Sequence, residues 1–206
     1  IKAIFTPAAW ASSFKPVQFL GGSSIAGDSS SYVYLSSNAY YNGSAWVYYT
    51  AASNKAANIY MGPDGYINTR TTNTAGAAGN TVTWAVGPYV AAGGTAWTNS
   101  SDEKLKNITG EISDALNKVS QLRAAEFTWK SDAENKPQVG LIAQDVQAVL
   151  PQAVVVPEKD KDIDGNDTFL GVNYDQVVPL LVAAIKEQQA LITQLQADVA
   201  ALKGAK

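Results

Sequence analysis

The most regular hydrophobic pattern in the chain is a heptad repeat close to its C-terminal end. From Val178 to Leu202, residues at spacings of three and four form one continuous seam, in which Gln188 is the single polar member. The a positions are Val178, Ile185, Ile192 and Val199, and the d positions are Leu181, Gln188, Leu195 and Leu202. The pattern predicts a helix over about 176–203 that assembles in a coiled coil, although a helix packed only on its own domain shows the same stripe. By the simple rule, β-branched a residues with Leu at d favour a dimer.

Upstream of the heptads, helical and strand patterns alternate. In "EISDALNKVSQL" the apolar residues at helical spacing predict an amphipathic helix with one buried stripe. They are Ile112, Leu116, Val119 and Leu122. "AEFTWK" predicts a strand, and "QVGLIAQDVQAVLP" predicts a strand that passes at Ala143 into a short helix ending before Pro151. "AVVVP" and "TFLGVNY" predict two further strands, which an acidic loop joins.

The first 100 residues show a different pattern, with short β-branched and aromatic runs between Gly, Asn and Pro. The runs are "SYVYL", "AWVYYT", "TVTWAV" and "TAWTN". Asn42-Gly43 lies between two such runs and predicts a hairpin, because both residues tolerate positive φ. "MGPDGYI" predicts a second turn, with Gly65 in a left-handed position. Because no 11-residue stretch has a convincing helical period, we expect this part to be all-β.

Aromatic side chains are concentrated in this first part, which holds 16 of the 20 in the chain. We expect several of them to fill a core. These are Trp10, Tyr32, Tyr34, Trp46, Tyr48 and Trp84. A surface that binds sugars or a protein partner, or the interlocked strands of an oligomeric fibre, has the same composition.

Composition narrows the possible chemistry. The chain has no Cys and no His, so hydrolysis would need carboxylates, a Ser-Lys pair or an oxygen-ligated metal. Its net charge of −3 argues against a nucleic-acid partner. The sequence contains no run of about 18 apolar residues, so we expect no membrane insertion. The N-terminal stretch does not resemble a secretion signal. Residues 1–100 carry four basic and two acidic side chains, whereas the remaining 106 carry 11 and 16, which indicates two modules.

The acidic loop has the opening of a calcium-binding loop. Asp160, Asp162 and Asp164 alternate before Gly165, but the twelfth position, where a bidentate Glu belongs, is Gly171. The loop also lies between predicted strands instead of helices. We therefore interpret it as a solvated hairpin turn and predict no metal and no cofactor.

The seam between the two modules, "TNSSDEKLKNI", allows two interpretations. In the first, Ser100 and Glu103 form a capping box at a helix start. In the second, Ser101 is a nucleophile and Lys106 a base, which requires the lysine to be neutral and therefore buried. Five residues cover roughly 140° around a regular helix, so Ser101 and Lys106 can meet only if the chain bends or the helix begins after Ser101.

Five sequence blocks, in the same order along the chain, resemble a known family, and this resemblance favours the second interpretation. They are "SSDEKLKNI", "ALNKVSQLRAAEFTWK", "VGLIAQDVQAVLP", "VNYDQVVPLLVAAIKE" and the C-terminal coil. Together they resemble the self-cleaving intramolecular chaperone domain that ends many phage tailspikes and tail fibres. "YYNGSAW", "GNTVTWAV" and "GGTAWTNSS" are similar, more loosely, to the distal β segments of such fibres.

The resemblance implies a homotrimer in which the chaperone holds three fibre chains during folding and then cuts itself off. The family motif maps onto Ser101 as nucleophile, Asp102, and Lys106 as general base, with cleavage at the Ser100-Ser101 bond. The coil that registers the trimer would use Ile185, Gln188, Ile192, Leu195, Val199 and Leu202.

We therefore expect a mixed fold, with a distal fibre segment over residues 1–100 and an autoprocessing chaperone over 101–206. The first part would belong to the virion fibre and bind a host cell-surface receptor, either a glycan or an outer-membrane component. The chaperone would act in the host cytoplasm during assembly and then be released or stay loosely bound. The alternatives are an uncut structural adhesin or assembly module, and a glycan-degrading tailspike that uses Asp28 and Asp64.

Overall fold

The structure, a computed structural model, describes residues 13–19, 22–50, 54–162 and 164–204, with the backbone alone at positions 14 and 15. The chain forms two compact units that divide between Asn107 and Ile108. A β-rich first part and a long helix in the second confirm the mixed fold. The assignment of 1–100 and 101–206 as functional domains stays a prediction, since a division by contacts does not report function.

The first unit is built on an antiparallel sheet of six strands in the order β1-β2-β3-β6-β7-β8. Its strands, together with the β4–β5 hairpin, are β1 Phe14–Gln18, β2 Ser24–Asp28, β3 Val33–Ser37, β4 Ala39–Tyr41, β5 Trp46–Tyr48, β6 Ala57–Met61, β7 Ile67–Thr71 and β8 Ala85–Val90. The described part of this unit contains no α-helix, which confirms the all-β prediction.

Both predicted turns are present. The β4–β5 hairpin turns at Asn42, whose Oδ1 accepts the backbone N–H groups of Ser44 and Ala45 at 2.9 and 3.0 Å. Only Gly43 of the Asn-Gly pair has a positive φ, +108°. Gly65 has a φ of +79° between β6 and β7, a conformation that glycine adopts without strain.

One face of the six-stranded sheet is apolar and is left partly exposed by the described part of the chain. Strand register places Ile25 beside Leu35 and Leu35 beside Ile59, so these side chains project on the same side. Members of this apolar face are between 38% and 50% exposed. They are Val17, Ile25, Val33, Leu35, Ile59, Met61 and Ile67. A continuous uncovered face of this kind is typical of a surface that another chain covers.

The opposite face of the sheet carries aromatic and polar side chains. Tyr34 of β3 packs on Trp46 of β5, with ring centroids 5.2 Å apart. Beside them Tyr48 is buried with Ala39, Ala56 and Val82, and its hydroxyl donates to the Thr74 carbonyl oxygen at 3.0 Å. Of the aromatics expected in a core, Tyr48 is therefore buried, Tyr32, Tyr34, Trp46 and Trp84 are half-buried, and Trp10 lies outside the described residues.

The second unit follows the predicted alternation of helices and strands. Its elements are α1 Ala115–Ser120, β9 Ala124–Phe127, β10 Gln138–Leu141, α2 Ala143–Val149, β11 Val154–Val155, β12 Gly171–Val172 and α3 Tyr174–Gly204. β9 pairs with β10 and β11 with β12, both antiparallel. The predicted change from strand to helix at Ala143 is confirmed. The predicted first helix is present but shorter than its apolar stripe, because α1 starts at Ala115 and leaves Ile112 outside it.

A distant carboxylate explains where α1 begins. Asp114, just before the helix, has a left-handed φ of +55° and makes no side-chain cap. Instead, the two carboxylate oxygens of Glu187 in α3 accept the N–H groups of Ala115 and Leu116 at 2.9 and 2.8 Å. The N–H groups of Leu116 and Ala115 lower the pKa of Glu187 below its usual 4.5, since they stabilise the ionised form. Glu187 therefore ties α1 to α3.

We expect Glu187→Gln to lower the melting temperature of the protein at about pH 7, because the amide cannot accept both bonds and carries no charge. A carboxyl with a depressed pKa stabilises the fold above its unfolded pKa and loses that effect as pH falls through the folded value. The difference between wild type and variant should therefore shrink below pH 4.5. Circular dichroism melts across this range measure it. Glu134→Gln, at an exposed ion pair with Lys136, is the matched control and should melt like the wild type.

The long helix α3 has two separate apolar faces. Val177, Leu180 and Ala184 are buried within the second unit, and Leu180 and Ala184 pack with Ala115 of α1. The apolar residues of the predicted heptad seam lie outside this buried set and are between 40% and 71% exposed. The predicted helix is thus confirmed, while its assembly in a coil stays a prediction. None of the helices in the described residues combines the length and apolar character needed to cross a bilayer.

The acidic loop between β11 and β12 is a hairpin turn, as predicted. Lys161 and Asp167 face each other across it in an antiparallel bridge and form an ion pair. The Asp162 carboxylate accepts the backbone N–H groups of Asp164 and Asn166, both at 2.9 Å. Hydrogen bonds from Asn166, chiefly the one from its side-chain amide, lower the pKa of Asp162. Over the described ranges, no three acidic side chains form a group able to hold a metal.

Candidate active site

The segment that leads to the predicted cleavage site is held by the sheet of the first unit. Thr98 forms a bridge with Tyr89 of β8, in which the two residues exchange backbone hydrogen bonds of 2.7 and 3.0 Å. Ser100 follows two residues later and is exposed. The bond between Ser100 and Ser101 therefore lies just beyond an anchored stretch of backbone and is open to solvent.

The chain then forms one short 3-10 turn over Glu103–Leu105. Asp102 is its N-cap, with φ −61° and ψ 137°, and its Oδ1 accepts the N–H of Lys104 at 2.9 Å. The first interpretation of this segment, in which Ser100 and Glu103 form a capping box, therefore does not apply, because Asp102 is the cap. Ser and Asp are comparable caps, and the turn begins after the later of the two.

This turn brings the predicted nucleophile and base together. Lys106 ends it in an extended conformation, with φ −124° and ψ 138°. Its side chain runs back along the turn, so that Nζ lies 2.6 Å from Ser101 Oγ and 3.0 Å from the Ser101 carbonyl oxygen. The geometric condition set by the sequence is met, because the turn starts after Ser101 and lasts only three residues.

The 2.6 Å contact is within the range over which a proton moves between a hydroxyl and a base. Ser101 Oγ also belongs to the residue that follows the Ser100 carbonyl, so nucleophile and target bond are already neighbours in one chain. Both side chains are exposed in the single chain. Lysine acts as a base only when neutral, a form that exclusion of water favours. The pair is therefore positioned, and its activation depends on what covers it.

The other carboxylates considered from the sequence have local structural partners. Asp28 accepts the N–H groups of Ser30 and Tyr32 at 2.9 and 3.0 Å and the Tyr34 hydroxyl at 3.1 Å. Burial and the neighbouring Asp28 raise the pKa of Tyr34. Asp64 accepts the N–H of Tyr66 at 3.1 Å. These bonds give both carboxylates a role in turns.

Comparison with known proteins agrees with the resemblance of the segment from Ser101 onward to a phage chaperone domain. Residues 101–155 match the family described as the chaperone of endosialidase. The chain is also similar to a long tail fiber protein of Escherichia phage AR1, with 33% identity over 93 residues. The matched segment is 42% of this chain and 8% of that relative, so the chain spans a small part of its length.

The family match begins at Ser101, the residue predicted to be the nucleophile. The chain therefore carries a C-terminal chaperone domain of the kind found in phage tail fibres, as its sequence blocks predicted. Ser101 and Lys106 both belong to the first compact unit, which ends at Asn107. The family match therefore begins seven residues before the second unit.

Proposed function

We propose that the chain is the end of a phage tail fibre or tailspike whose chaperone drives trimerisation and then releases itself. Cleavage falls between Ser100 and Ser101, with Ser101 as nucleophile and Lys106 as general base. The observation that carries this proposal is the 2.6 Å contact between Lys106 Nζ and Ser101 Oγ at the first residue of the family match. The matched family is classed among the serine peptidases, which supports the proposal.

The reaction balances within these residues and one water molecule. Lys106 Nζ takes the hydroxyl proton as Ser101 Oγ attacks the carbonyl carbon of Ser100. The C–N bond to Ser101 then breaks, and the lysine returns the proton to the departing Ser101 amine. Water next attacks the resulting ester, so that Ser100 ends in a carboxylate and Ser101 regains its hydroxyl. Neither step needs a cofactor.

Two uncovered apolar surfaces support assembly of several chains. One is the apolar face of the sheet, including Ile25, Leu35 and Ile59, and the other is the heptad seam of α3. Each would bury its side chains against copies of the same surface, since identical chains place identical stripes around a symmetry axis. The number three comes from the family resemblance. It conflicts with the simple dimer rule for the a and d residues, a rule that is weak for a coil of this length.

Assembly also offers a way to activate the cleavage pair. Lys106 is exposed in the single chain, and a neighbouring chain in the trimer would exclude water from it. Cleavage would then follow correct assembly, and dilute unfolded chains at neutral pH would stay whole. Rapid cutting of such chains would contradict this order of events.

The part of the chain before Ser101 is proposed to remain in the virion fibre and to bind a host cell-surface receptor. The receptor would be a glycan or an outer-membrane component. Support comes from the tail fiber relative and from the half-buried aromatic side chains on the sheet, such as Tyr60 and Trp84. The chaperone would complete its work in the host cytoplasm.

The mass of the freshly purified protein under denaturing conditions tests the proposal. Two fragments that together make up 21.7 kDa, and that meet at Ser100-Ser101, are the expected result. A single species of 21.7 kDa from natively folded protein would instead identify an uncut adhesin or assembly module.

A further inference from the structure

A pocket of about 400 Å³ lies over β7 and β8 on the aromatic face of the sheet. Its lining includes Tyr60, Tyr66, Asn68, Arg70, Trp84 and Tyr89. Ser100, the residue before the proposed cut, also borders it. The pocket therefore combines a cation, an amide and several rings, and it reaches the end of the proposed fibre segment.

Arg70 is the cation of this pocket, and no anionic partner faces it among the residues that the structure describes. Its guanidinium carbon lies 4.5 Å from the ring centre of Trp84, 4.9 Å from that of Tyr60 and 5.1 Å from that of Trp46. Among the described residues its Nε has no hydrogen-bond acceptor, and no carboxylate forms an ion pair with it. Ring faces attract a cation but supply no acceptor for its five N–H donors.

Half-burial makes this lack of a partner costly. Burial lowers the pKa of Arg70, because the charged form loses solvation there. An arginine stays protonated under such conditions, so the charge persists. An entering carboxylate would supply both the missing acceptors and the missing charge, in the forked geometry that a guanidinium fits.

The rest of the pocket fits the remainder of the ligand that carries such a carboxylate. Tyr66 and Tyr89 form one wall, with ring centroids 5.7 Å apart. Asn68 lies opposite Tyr89 in the strand register and lines the same space. The register shifts between Asn68 and Arg70, and there a Cβ on Gly87 would meet the Thr69 carbonyl oxygen at 2.6 Å. Glycine at that position lets the strands approach beneath the pocket.

We propose that this pocket is a carboxylate-binding site. In it Arg70 binds the carboxylate, and the wall formed by Tyr66 and Tyr89 packs against the rest of the ligand. The site deepens the proposed receptor-binding role of the fibre segment. The carboxylate has two possible sources. One is an acidic sugar of a surface polysaccharide, which a ring wall and an amide suit. The other is the new C-terminus of Ser100, which cleavage would release at the edge of the same pocket.

The first arm of the test uses the uncut Ser101→Ala chain and calorimetric titration with glucuronic acid, with glucose as its neutral match. For a sugar source, glucuronic acid should bind at least about tenfold more tightly than glucose, as one charged contact contributes about that factor. Arg70→Gln should remove the preference. Because that variant can also disturb the sheet, Tyr66→Ala supplies a second change, in the ring wall, that should also weaken binding. Arg123→Gln, which removes an equal charge in the second unit, should bind like its parent.

The second arm uses cut protein and follows the Ser100 carboxylate by NMR during an acid titration. If the new terminus is the ligand, it should titrate at lower pH in the cut wild type than in cut Arg70→Gln, and glucuronic acid should no longer bind. Binding of glucuronic acid to cut and uncut protein alike assigns the site to sugar. The proposal is overturned if uncut protein shows no Arg70-dependent preference and the cut terminus shows no Arg70-dependent shift. If the chain never cuts, the first arm decides alone, so failure of cleavage is distinct from failure of the site.

Discussion

Ser101→Ala should leave every chain whole, at about 21.7 kDa under denaturing conditions, while the wild type gives two fragments that meet at Ser100-Ser101. The substitution removes the hydroxyl that attacks the Ser100 carbonyl and leaves the backbone of the turn unchanged. Loss of the nucleophile should lower the rate by at least about a thousandfold. Mass spectrometry of protein sampled at intervals after native purification gives both the position of the cut and its rate.

Lys106→Met should have the same effect, because Nζ is the base within 2.6 Å of Ser101 Oγ. Lys104→Met is the matched control, since Lys104 contributes only its backbone N–H to the Asp102 cap. It should cut at the wild-type rate. Cleavage of Lys106→Met at that rate would remove Lys106 from the mechanism, and cleavage of Ser101→Ala at the same bond would remove the proposed nucleophile.

Ile192→Asp should abolish assembly of the chain. Ile192 is an a residue of the exposed seam, and in a symmetric coil its replacements would bring several carboxylates together in an apolar layer. Burial of unpaired charge costs several kcal/mol for each ion, more than a short coil can offset. Light scattering after size exclusion should show trimers for the wild type and monomers for the variant. Ala197→Asp, which adds the same charge outside the seam, should remain trimeric.

The same variant tests whether assembly activates the cut. Because Leu180 packs on the other face of α3, Ile192→Asp should keep the helical signal of the wild type. Leu180→Ala should instead destabilise the second unit itself, by about 2–5 kcal/mol, because it opens a cavity in a fully buried site. A folded Ile192→Asp monomer that stays whole agrees with activation by assembly. One that cuts as fast as the wild type would separate the chemistry from the trimer.

Local patterns in the sequence predict most of the second unit. Apolar spacing predicts the change from β10 to α2 at Ala143 and the extent of α3, and Pro151 predicts the end of α2. Both signals are properties of neighbouring residues. The Gly65 turn in the first unit is likewise set by local backbone freedom. The pairing of Ser101 with Lys106 needed one further fact, the length of the turn between them.

Features that depend on distant residues could not be predicted. α1 begins at Ala115 because Glu187, 72 residues away, supplies its cap. Arg70 is separated in sequence from Trp46 and Trp84, so only the sheet shows that their rings enclose it. The one signal in the sequence was that Arg70 is the single arginine in a half with few charges.

The Ser101–Lys106 contact lies entirely downstream of the bond beside it. If the chain is cut there, the departing chaperone takes both reactive groups with it, and the fibre retains neither. The segment that stays has no cysteine, no histidine and only four basic side chains. Each chain can therefore undergo the reaction once, because the segment before the cut carries neither the nucleophile nor the base.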